Sequence, residues 1–219
     1  ETIDLREVVT GTSSITINLD TEGETVSFVN ISASTFTSGS DNLTIQGSFG
    51  SDTVTGPNIG SNINGNSGND TLIGGTQADT FDGGVGSDTL TGNGGADIFS
   101  WTGNSTYSGL TAGTADSITD FSSGTDKLKL GLIGNATASS GNYVEAATAV
   151  ASLSAAQSAA NNALSTLNGT SNATKLYSFQ YDSSNGYLFK DDNSDGVADG
   201  MLILVGIDKT EIAATDIIA

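Results

Sequence analysis

Glycine and aspartate recur at fixed positions between residues 47 and 100. Read nine residues at a time, this stretch divides into six blocks: GSFGSDTVT, GPNIGSNIN, GNSGNDTLI, GGTQADTFD, GGVGSDTLT and GNGGADIFS. Every block begins with glycine, and five blocks have aspartate as the sixth residue: Asp52, Asp70, Asp79, Asp88 and Asp97. Carboxylates and the backbone carbonyls of tight turns are hard oxygen ligands, which calcium prefers. The spacing therefore predicts a calcium site that repeats along the chain.

The eighth residue of every block is large and apolar: Val54, Ile63, Leu72, Phe81, Leu90 and Phe99. Because strand side chains alternate between faces, a three-residue strand buries only its middle side chain. The six residues before it must turn the chain, and glycine adopts positive φ angles at little steric cost. Two blocks then complete one coil, and successive coils stack as parallel strands. The predicted fold class is all-β, a parallel β-roll (β-solenoid).

The turns of such a roll lie in two rows. The odd row consists of the turns of blocks one, three and five (47–52, 65–70 and 83–88), and the even row of those of blocks two, four and six (56–61, 74–79 and 92–97). The odd row has aspartate in every turn and predicts two good sites. The even row has Ser61 in place of one aspartate and Gln77 in place of a glycine, which predicts one good site, between Asp79 and Asp97, and one impaired site. Further predicted metal-site residues in the turns are Gly50, Gly65, Gly68, Asn69, Gly83, Gly86 and Ser87.

A metal ion would answer two weaknesses of this roll. Six large apolar side chains form a thin core for six blocks, and the stretch contains six aspartates, including Asp82, but no lysine or arginine. Stacked turns bring these like charges together, which destabilises the ionised form. Calcium between the turns would neutralise the carboxylates, so its binding free energy becomes folding free energy. We therefore predict three or more calcium ions as the cofactor.

The blocks resemble the RTX (repeats-in-toxin) calcium-binding nonapeptide, G-G-x-G-x-D-x-U-x, and residues 83–91 match it at every position. A disordered Gly/Asp linker would not keep apolar residues at one phase six times. The run from Gly95 through DSITDFSSGTDKLKL is similar to the segment that closes the rolls of serralysin-type proteases and mannuronan epimerase modules. The resemblance implies that Asp120 helps to close the last calcium turn. Asp116 and Asp126 are interpreted as solvated turn carboxylates.

The flanking regions differ in composition from the repeats. Residues 1–46 are predicted as an N-terminal β segment or irregular solenoid coils, and 47–130 as the calcium roll with its closing segment. Residues 131–219 are predicted as a capping and secretion region. Within this last region, an alanine-rich apolar stripe without glycine or proline predicts a helix over 144–168, followed by strands from residue 175 onward.

A second acidic motif lies in the loop DDNSDGVAD. Asp191, Asn193, Asp195 and Asp199 have the spacing of positions 1, 3, 5 and 9 of an EF-hand loop, but Leu202 stands where that loop has its glutamate. The sequence therefore excludes an EF-hand. It leaves open either a separate calcium site or a polar hairpin loop.

The overall composition narrows the function. The formal net charge is −19, which argues against nucleic acid as a partner, and the chain has no cysteine and no histidine. We find no catalytic constellation and predict that the chain is not an enzyme. The ending ATDIIA resembles the C-terminal export signal of type I secretion substrates.

The preferred interpretation is a calcium-binding structural C-terminal module of a type I secreted, extracellular protein of the S-layer or adhesin kind. Its expected partners are calcium, the secretion machinery and, at the cell surface, further copies of the chain or a polysaccharide. Two alternatives are the RTX module of an exported protease, lipase or epimerase with its catalytic domain elsewhere, and a polysaccharide-binding module.

Overall fold

The computed structural model describes residues 14–19, 23, 25–27, 42–101, 109–130, 142–169, 176–208 and 212–218. The strands up to the end of the repeats are β1 (Ser14–Asn18), β2 (Thr25–Ser27), β3 (Asn42–Gln46), β4 (Thr53–Thr55), β5 (Ser61–Asn64), β6 (Thr71–Ile73), β7 (Thr80–Asp82), β8 (Thr89–Thr91) and β9 (Ile98–Ser100). They are followed by β10 (Asp116–Ile118), β11 (Lys127–Lys129), β12 (Tyr143–Glu145), helix α1 (Leu153–Asn168), β13 (Leu176–Tyr181), β14 (Asn185–Asp191), β15 (Gly200–Val205) and β16 (Ile217–Ile218).

The strands form two sheets that face each other. One has the order β1-β3-β5-β7-β9-β11-β16, and the other has the order β12-β13-β14-β15-β10-β8-β6-β4-β2. Within the repeats every pairing is parallel, and residues eighteen apart are partners, as in Val54 with Leu72 and Leu72 with Leu90. Two nonapeptides therefore make one coil, and the predicted parallel β-roll is confirmed.

The apolar residues at position eight of the repeats line the interior between the two sheets. All six are at most 1% exposed. Phe81 and Phe99 stack in consecutive coils, with ring centroids 5.2 Å apart and an interplanar angle of 14°. This contact extends the narrow core along the roll axis, because identical positions of successive coils lie directly above one another.

Strands outside the repeats continue the same sheets. β3 pairs in parallel with β5, and β2 with β4, so the described strands before residue 47 add coils to the roll. At the other end, β10 pairs with β15 and β11 with β16. The predicted boundaries at residues 46 and 130 thus do not coincide with a break in either sheet.

The predicted helix over 144–168 is wrong in its first third. Residues Tyr143–Glu145 form β12, which pairs in parallel with β13, and α1 begins only at Leu153. Ser152 caps the helix, because its Oγ accepts a hydrogen bond from the Ala155 N–H at 3.3 Å. Val144, which lies in β12, and Val150 still pack against the apolar cluster under the helix. An apolar stripe cannot distinguish these two backbones, since both place side chains on the same cluster.

The C-terminal residues dock on the end of the roll. The Asp216 carboxylate is fully buried and accepts hydrogen bonds from Ser123 Oγ, the Gly124 N–H and Lys127 Nζ, the last at 2.9 Å. Burial would raise the pKa of Asp216, but the hydrogen bonds hold it below its usual value. Among the described residues, no helix combines the length and apolar content needed to cross a lipid bilayer.

Candidate metal centre

The aspartates of the odd row form a buried ladder along the roll. The backbone N–H of Asp52 donates to Asp70 Oδ1 (2.7 Å), that of Asp70 to Asp88 Oδ1 (2.8 Å), and that of Asp88 to Asp116 Oδ1 (2.9 Å). All four side chains are at most 2% exposed. One carboxylate oxygen of Asp70, Asp88 and Asp116 thus links two turns.

The even row has the same ladder with one gap. Ser61 donates its N–H to Asp79 Oδ1 at 2.8 Å, Asp79 donates to Asp97 Oδ1 at 2.8 Å, and Asp97 donates to Asp126 Oδ1 at 3.0 Å. The Ser61 hydroxyl also donates to Asp79 Oδ1 at 2.8 Å. The turn of block two therefore keeps the stacking but contributes no carboxylate.

The Oδ2 atoms of this ladder have hydrogen-bond partners at its two ends but not in its middle. At one end, Asp52 Oδ2 accepts hydrogen bonds from the N–H and hydroxyl of Ser48, and at the other end Asp116 Oδ2 accepts one from Trp101 Nε1 at 2.7 Å. In the middle, Asp70 Oδ2 and Asp88 Oδ2 are buried and have no hydrogen-bond partner. Buried polar atoms are rarely left in this state, because each costs the full desolvation penalty. A bound cation would satisfy both oxygens, so the residues fit calcium.

The backbone at position two of each turn explains this difference. Position two has a positive φ at Asn66 (68°), Gly84 (92°) and Asn93 (62°). The aspartates four residues after Asn66 and Gly84 keep an unpartnered Oδ2, whereas Asp97, four residues after Asn93, is not among the buried unpartnered groups. The turns with Ser48, Gly75 and Ser122 at the equivalent position have no positive φ there, and each donates its N–H to the aspartate four residues later. The position-two backbone thus decides whether the turn donates its own N–H to the aspartate.

Two oxygens of stacked turns lie close together beside Gly65. A Cβ atom added at Gly65 would collide with Asp70 Oδ2 and lie 2.5 Å from the Gly83 carbonyl oxygen, so both oxygens border the gap between these turns, where Gly65 has no side chain. In the preceding gap, the Asn66 side chain donates to the Gly47 carbonyl. Gly84 has no side chain to do the same. The gap between residues 65–70 and 83–88 is therefore the best-formed candidate site.

Other turn residues that the sequence predicted at the metal sites form contacts between stacked turns. Gly50, Gly68 and Gly86 stack backbone on backbone, as the contacts of Gly68 with Gly50 and of Gly86 with Gly68 show. The Asn69 side chain accepts the Ser87 N–H at 3.0 Å, so it links two turns at the surface. Across the described part of the chain, no three carboxylates converge on one point. An ion here would take most of its ligands from backbone carbonyls, as calcium tolerates.

Burial shifts the titration of these carboxylates upward. It raises the pKa of Asp88 to about 8, of Asp97 to about 7 and of Asp70 to about 6, and neighbouring aspartates add to each shift while backbone N–H donors reduce it. The pKa of Asp79 is raised for the same first reason. Without a cation, the folded roll thus favours protonated carboxyls.

The raised pKa values determine whether the stability of the fold rises or falls with pH. An aspartate whose folded pKa lies above its unfolded value of about 4 stabilises the fold when protonated, and loses that contribution as pH rises through the folded pKa. In calcium-free buffer, we expect the β-sheet circular dichroism signal to increase between pH 8.5 and pH 5. In calcium, we expect the affinity to fall by more than about tenfold from pH 8 to pH 6, because protons compete for the ligands. A pH-independent affinity and apo signal would contradict both expectations.

The closing segment contains one predicted residue and two that sequence reasoning misjudged. Asp120 accepts the Gly92 N–H at 2.9 Å and the Asn93 N–H at 2.7 Å, so it stacks on the last even-row turn. The interpretation of Asp116 and Asp126 as solvated is wrong, because they are 0% and 4% exposed and extend the two ladders. The signal was present: both begin the same D-x-U-x pattern, with Ile118 and Leu128 as buried apolar residues.

The loop of residues 191–199 joins β14 to β15, which lie between β13 and β10 in the second sheet. Asp191 is fully buried and accepts the Gly196 N–H at 2.8 Å, whereas Asn193 and Asp195 are exposed. Asp199 accepts the Asp192 N–H at 2.8 Å. These residues share one loop but do not join the aspartate ladders.

A family model of known repeats agrees with this geometry. Residues 64–99 match the family model described as RTX calcium-binding nonapeptide repeat (4 copies). Among solved structures, the chain resembles a subunit of the mannuronan C5-epimerase of Azotobacter vinelandii, with 21% identity, coverage of 81% of this chain and 77% of that chain, and a TM-score of 0.37. A comparison with curated protein sequences gives no significant match. The family model spans blocks three to six, and on this ground the chain carries RTX calcium-binding nonapeptide repeats folded as a parallel β-roll.

Proposed function

We propose that this chain is a calcium-dependent structural module of an exported protein, which folds outside the cell and serves in an S-layer or another cell-surface assembly. The observation that carries the proposal is the pair of buried carboxylate oxygens without hydrogen-bond partners, Asp70 Oδ2 and Asp88 Oδ2, inside the matched repeats. These oxygens make the metal-free roll unfavourable, and a calcium ion between the turns would satisfy them.

Export would follow from the dependence on metal. A chain that cannot fold while calcium is scarce stays threadable through a secretion channel, and it folds where calcium reaches millimolar levels, the range to which extracellular modules are tuned. The formal net charge of −19 supports this order of events, because self-repulsion opposes folding until cations bind. We propose that export is by type I secretion and that the last residues act as its signal. Ala219 itself lies outside the described residues.

The role that we propose is structural rather than catalytic. The absence of histidine and cysteine from the sequence removes the usual nucleophile and base pairs. The buried aspartates of the repeats are already committed to ladder hydrogen bonds. A catalytic activity of the whole protein would then reside in another part of it.

The proposal is tested by circular dichroism and sedimentation of the chain in chelator and in calcium. We expect a largely unfolded spectrum and an expanded chain in chelator, and a compact β-rich state at millimolar calcium that magnesium does not induce. A full β spectrum in chelator, unchanged by calcium, would refute the calcium-dependent module. Electron microscopy in calcium then tests the surface role, since a lattice protein should form sheets and a monomeric module should not.

A further inference from the structure

We propose that the loop of residues 191–199, here called the cap loop, holds a separate calcium ion beside the buried carboxylate of Asp191. Nothing in the repeats requires this site, and it lies outside the segment that the family model matches. The proposal stands on a set of contacts different from those of the aspartate ladders.

The first observation is an unsatisfied buried oxygen. Among the described residues, four buried side-chain polar atoms lack a hydrogen-bond partner, and three of them are aspartate oxygens: Asp70 Oδ2, Asp88 Oδ2 and Asp191 Oδ1. Asp191 is 0% exposed. Its other oxygen accepts the Gly196 N–H at 2.8 Å, so the carboxylate is turned into the cap loop. The cap loop thus shares the feature that marks the candidate sites in the roll.

The second observation is the set of oxygen-bearing side chains in the same loop. Asn193 Oδ1 accepts the Asp195 N–H at 2.9 Å, and Asp195 Oδ1 accepts the Val197 N–H at 2.8 Å. Asp199 Oδ2 accepts the Asp192 N–H at 2.8 Å, which closes the loop. These hydrogen bonds hold the side chains of positions 1, 3, 5 and 9 within one loop, although their carboxylates do not converge on one point. An ion beside Asp191 would therefore take backbone carbonyls and water as further ligands.

The ligand types in the cap loop favour calcium. Carboxylates, one amide oxygen and a backbone carbonyl, which position 7 (here Val197) supplies in an EF-hand loop, are a mixed oxygen set of the kind calcium accepts, with water completing the shell. Magnesium requires a near-ideal octahedron and retains more water. Leu202 stands at position 12 and is buried in β15, so no bidentate glutamate is present. We therefore expect an affinity in the range of extracellular modules, about 10⁻⁴ to 10⁻³ M.

An ion in the cap loop would also hold the helix in place. The Ala198 N–H donates to Asn161 Oδ1 of α1 at 2.9 Å. A Cβ added at Gly196, which has φ of 85°, would lie 2.8 Å from the Ser165 Cα of the same helix, so loop and helix are in direct contact. Calcium at Asp191 would thus stabilise the packing of α1 on the hairpin formed by β13 and β14.

The decisive experiment counts calcium ions bound to the full chain by calorimetry and equilibrium dialysis. We compare the unmodified chain with Asp191→Asn and with the control Asp192→Asn, which removes the same charge from an exposed residue paired with Lys190 at 2.7 Å. We expect Asp191→Asn to bind one ion fewer, and Asp192→Asn to bind the full number. Equal stoichiometry in all three chains would overturn the proposal.

A second variant tests the site without depending on Asp191→Asn, which could lose an ion because the loop misfolds. Asn193→Asp adds a carboxylate at an exposed ligand position, so one class of site should bind calcium several-fold more tightly, while the ions of the roll are unaffected. An unchanged affinity in this variant would count against the site. Equally tight binding of magnesium by the cap loop would overturn the assignment to calcium.

The two proposals can fail separately. If only the roll binds calcium, the β signal of Asp191→Asn and of the unmodified chain will respond to calcium equally, with the same number of ions. If only the cap loop binds, one ion will bind to a chain whose β signal is already complete in chelator. The loss of one ion in Asp191→Asn, with a calcium-induced β signal retained, supports both.

Discussion

Replacing Asp70 and Asp88 together by asparagine is expected to lower the melting temperature in excess calcium by roughly 10–20 °C. A ligand at about a hundred times its Kd contributes about 2.7 kcal/mol per site, so two lost sites remove about 5 kcal/mol. In a domain of this size, each kcal/mol shifts the melting temperature by about 2–4 °C. Thermal unfolding followed by circular dichroism at saturating calcium measures the effect.

The same double variant is expected to behave in the opposite way in chelator. Asparagine keeps an oxygen to accept the N–H groups of Asp52 and Asp70, which donate at 2.7 and 2.8 Å to these side chains in the original ladder. It removes two negative charges that are buried without a hydrogen-bond partner at Oδ2. We therefore expect the metal-free variant to be at least as stable as the metal-free original. A purely structural role for these aspartates would instead reduce stability under both conditions.

Asp82→Asn is the matched control for this experiment. Asp82 lies in β7 at position nine of its block, half-buried and outside the two aspartate ladders. Its removal changes the net charge by one unit without removing a ladder oxygen, so the calcium-dependent part of the melting temperature should stay within a few degrees of the original. An equal loss in the Asp82 variant would mean that total charge, rather than specific ligation, governs the response to calcium.

Replacing Gly68 by alanine is expected to prevent the roll from folding even in calcium. Gly68 has φ of 121°, and an added Cβ would lie 2.5 Å from the carbonyl carbon and oxygen of Gly50 and 2.8 Å from the Ser51 nitrogen. Because all three are backbone atoms of the neighbouring turn, the coils would have to separate, and the candidate site between them would open. We expect a loss above about 3 kcal/mol, on the scale of the largest single-residue effects.

Gly124→Ala is a control that distinguishes the cost of a steric clash from the cost of placing a non-glycine residue at a positive φ. Gly124 also has a positive φ, of 80°, but no heavy atom lies within 4 Å of its added Cβ. Its replacement should therefore cost only the backbone term of about 1–2 kcal/mol and leave calcium binding intact. The free energy of unfolding of both variants is measured with denaturant in calcium. Equal decreases would show that Gly68 is not needed for the close stacking of the turns.

The nonapeptide period and its apolar phase determined the core of the fold. A strand too short to bury more than one side chain, combined with a turn rich in glycine and aspartate, has few solutions other than a stacked coil. For this reason Leu72 and Leu90, eighteen residues apart, could be paired before any coordinates. The predicted preference for the odd row also came from residue types, since Ser61 interrupts the even row.

Tertiary structure decided the features outside the regular repeats. Asp116 and Asp126 are separated from the last repeats by irregular spacing, so their place in the ladders depends on the pairing of β10 with β8 and of β11 with β9. The start of α1 was likewise decided by strand pairing, because Val144 meets the same apolar cluster from β12 as it would from a helix.

The sequence by itself determined that turns, apolar residues and acidic ligands repeat together, because local periodicity follows from backbone geometry. Only the folded chain decided which carboxylate oxygens are left without a partner. That outcome depends on one contact within a turn and one across the fold: Ser48 satisfies Asp52, Trp101 satisfies Asp116, and no hydrogen-bond donor reaches Oδ2 of Asp70 or Asp88. The Trp101 contact depends on how the chain folds back, and the Ser48 contact depends on the backbone angle at position two of the turn, which is positive at Asn66 but not at Ser48.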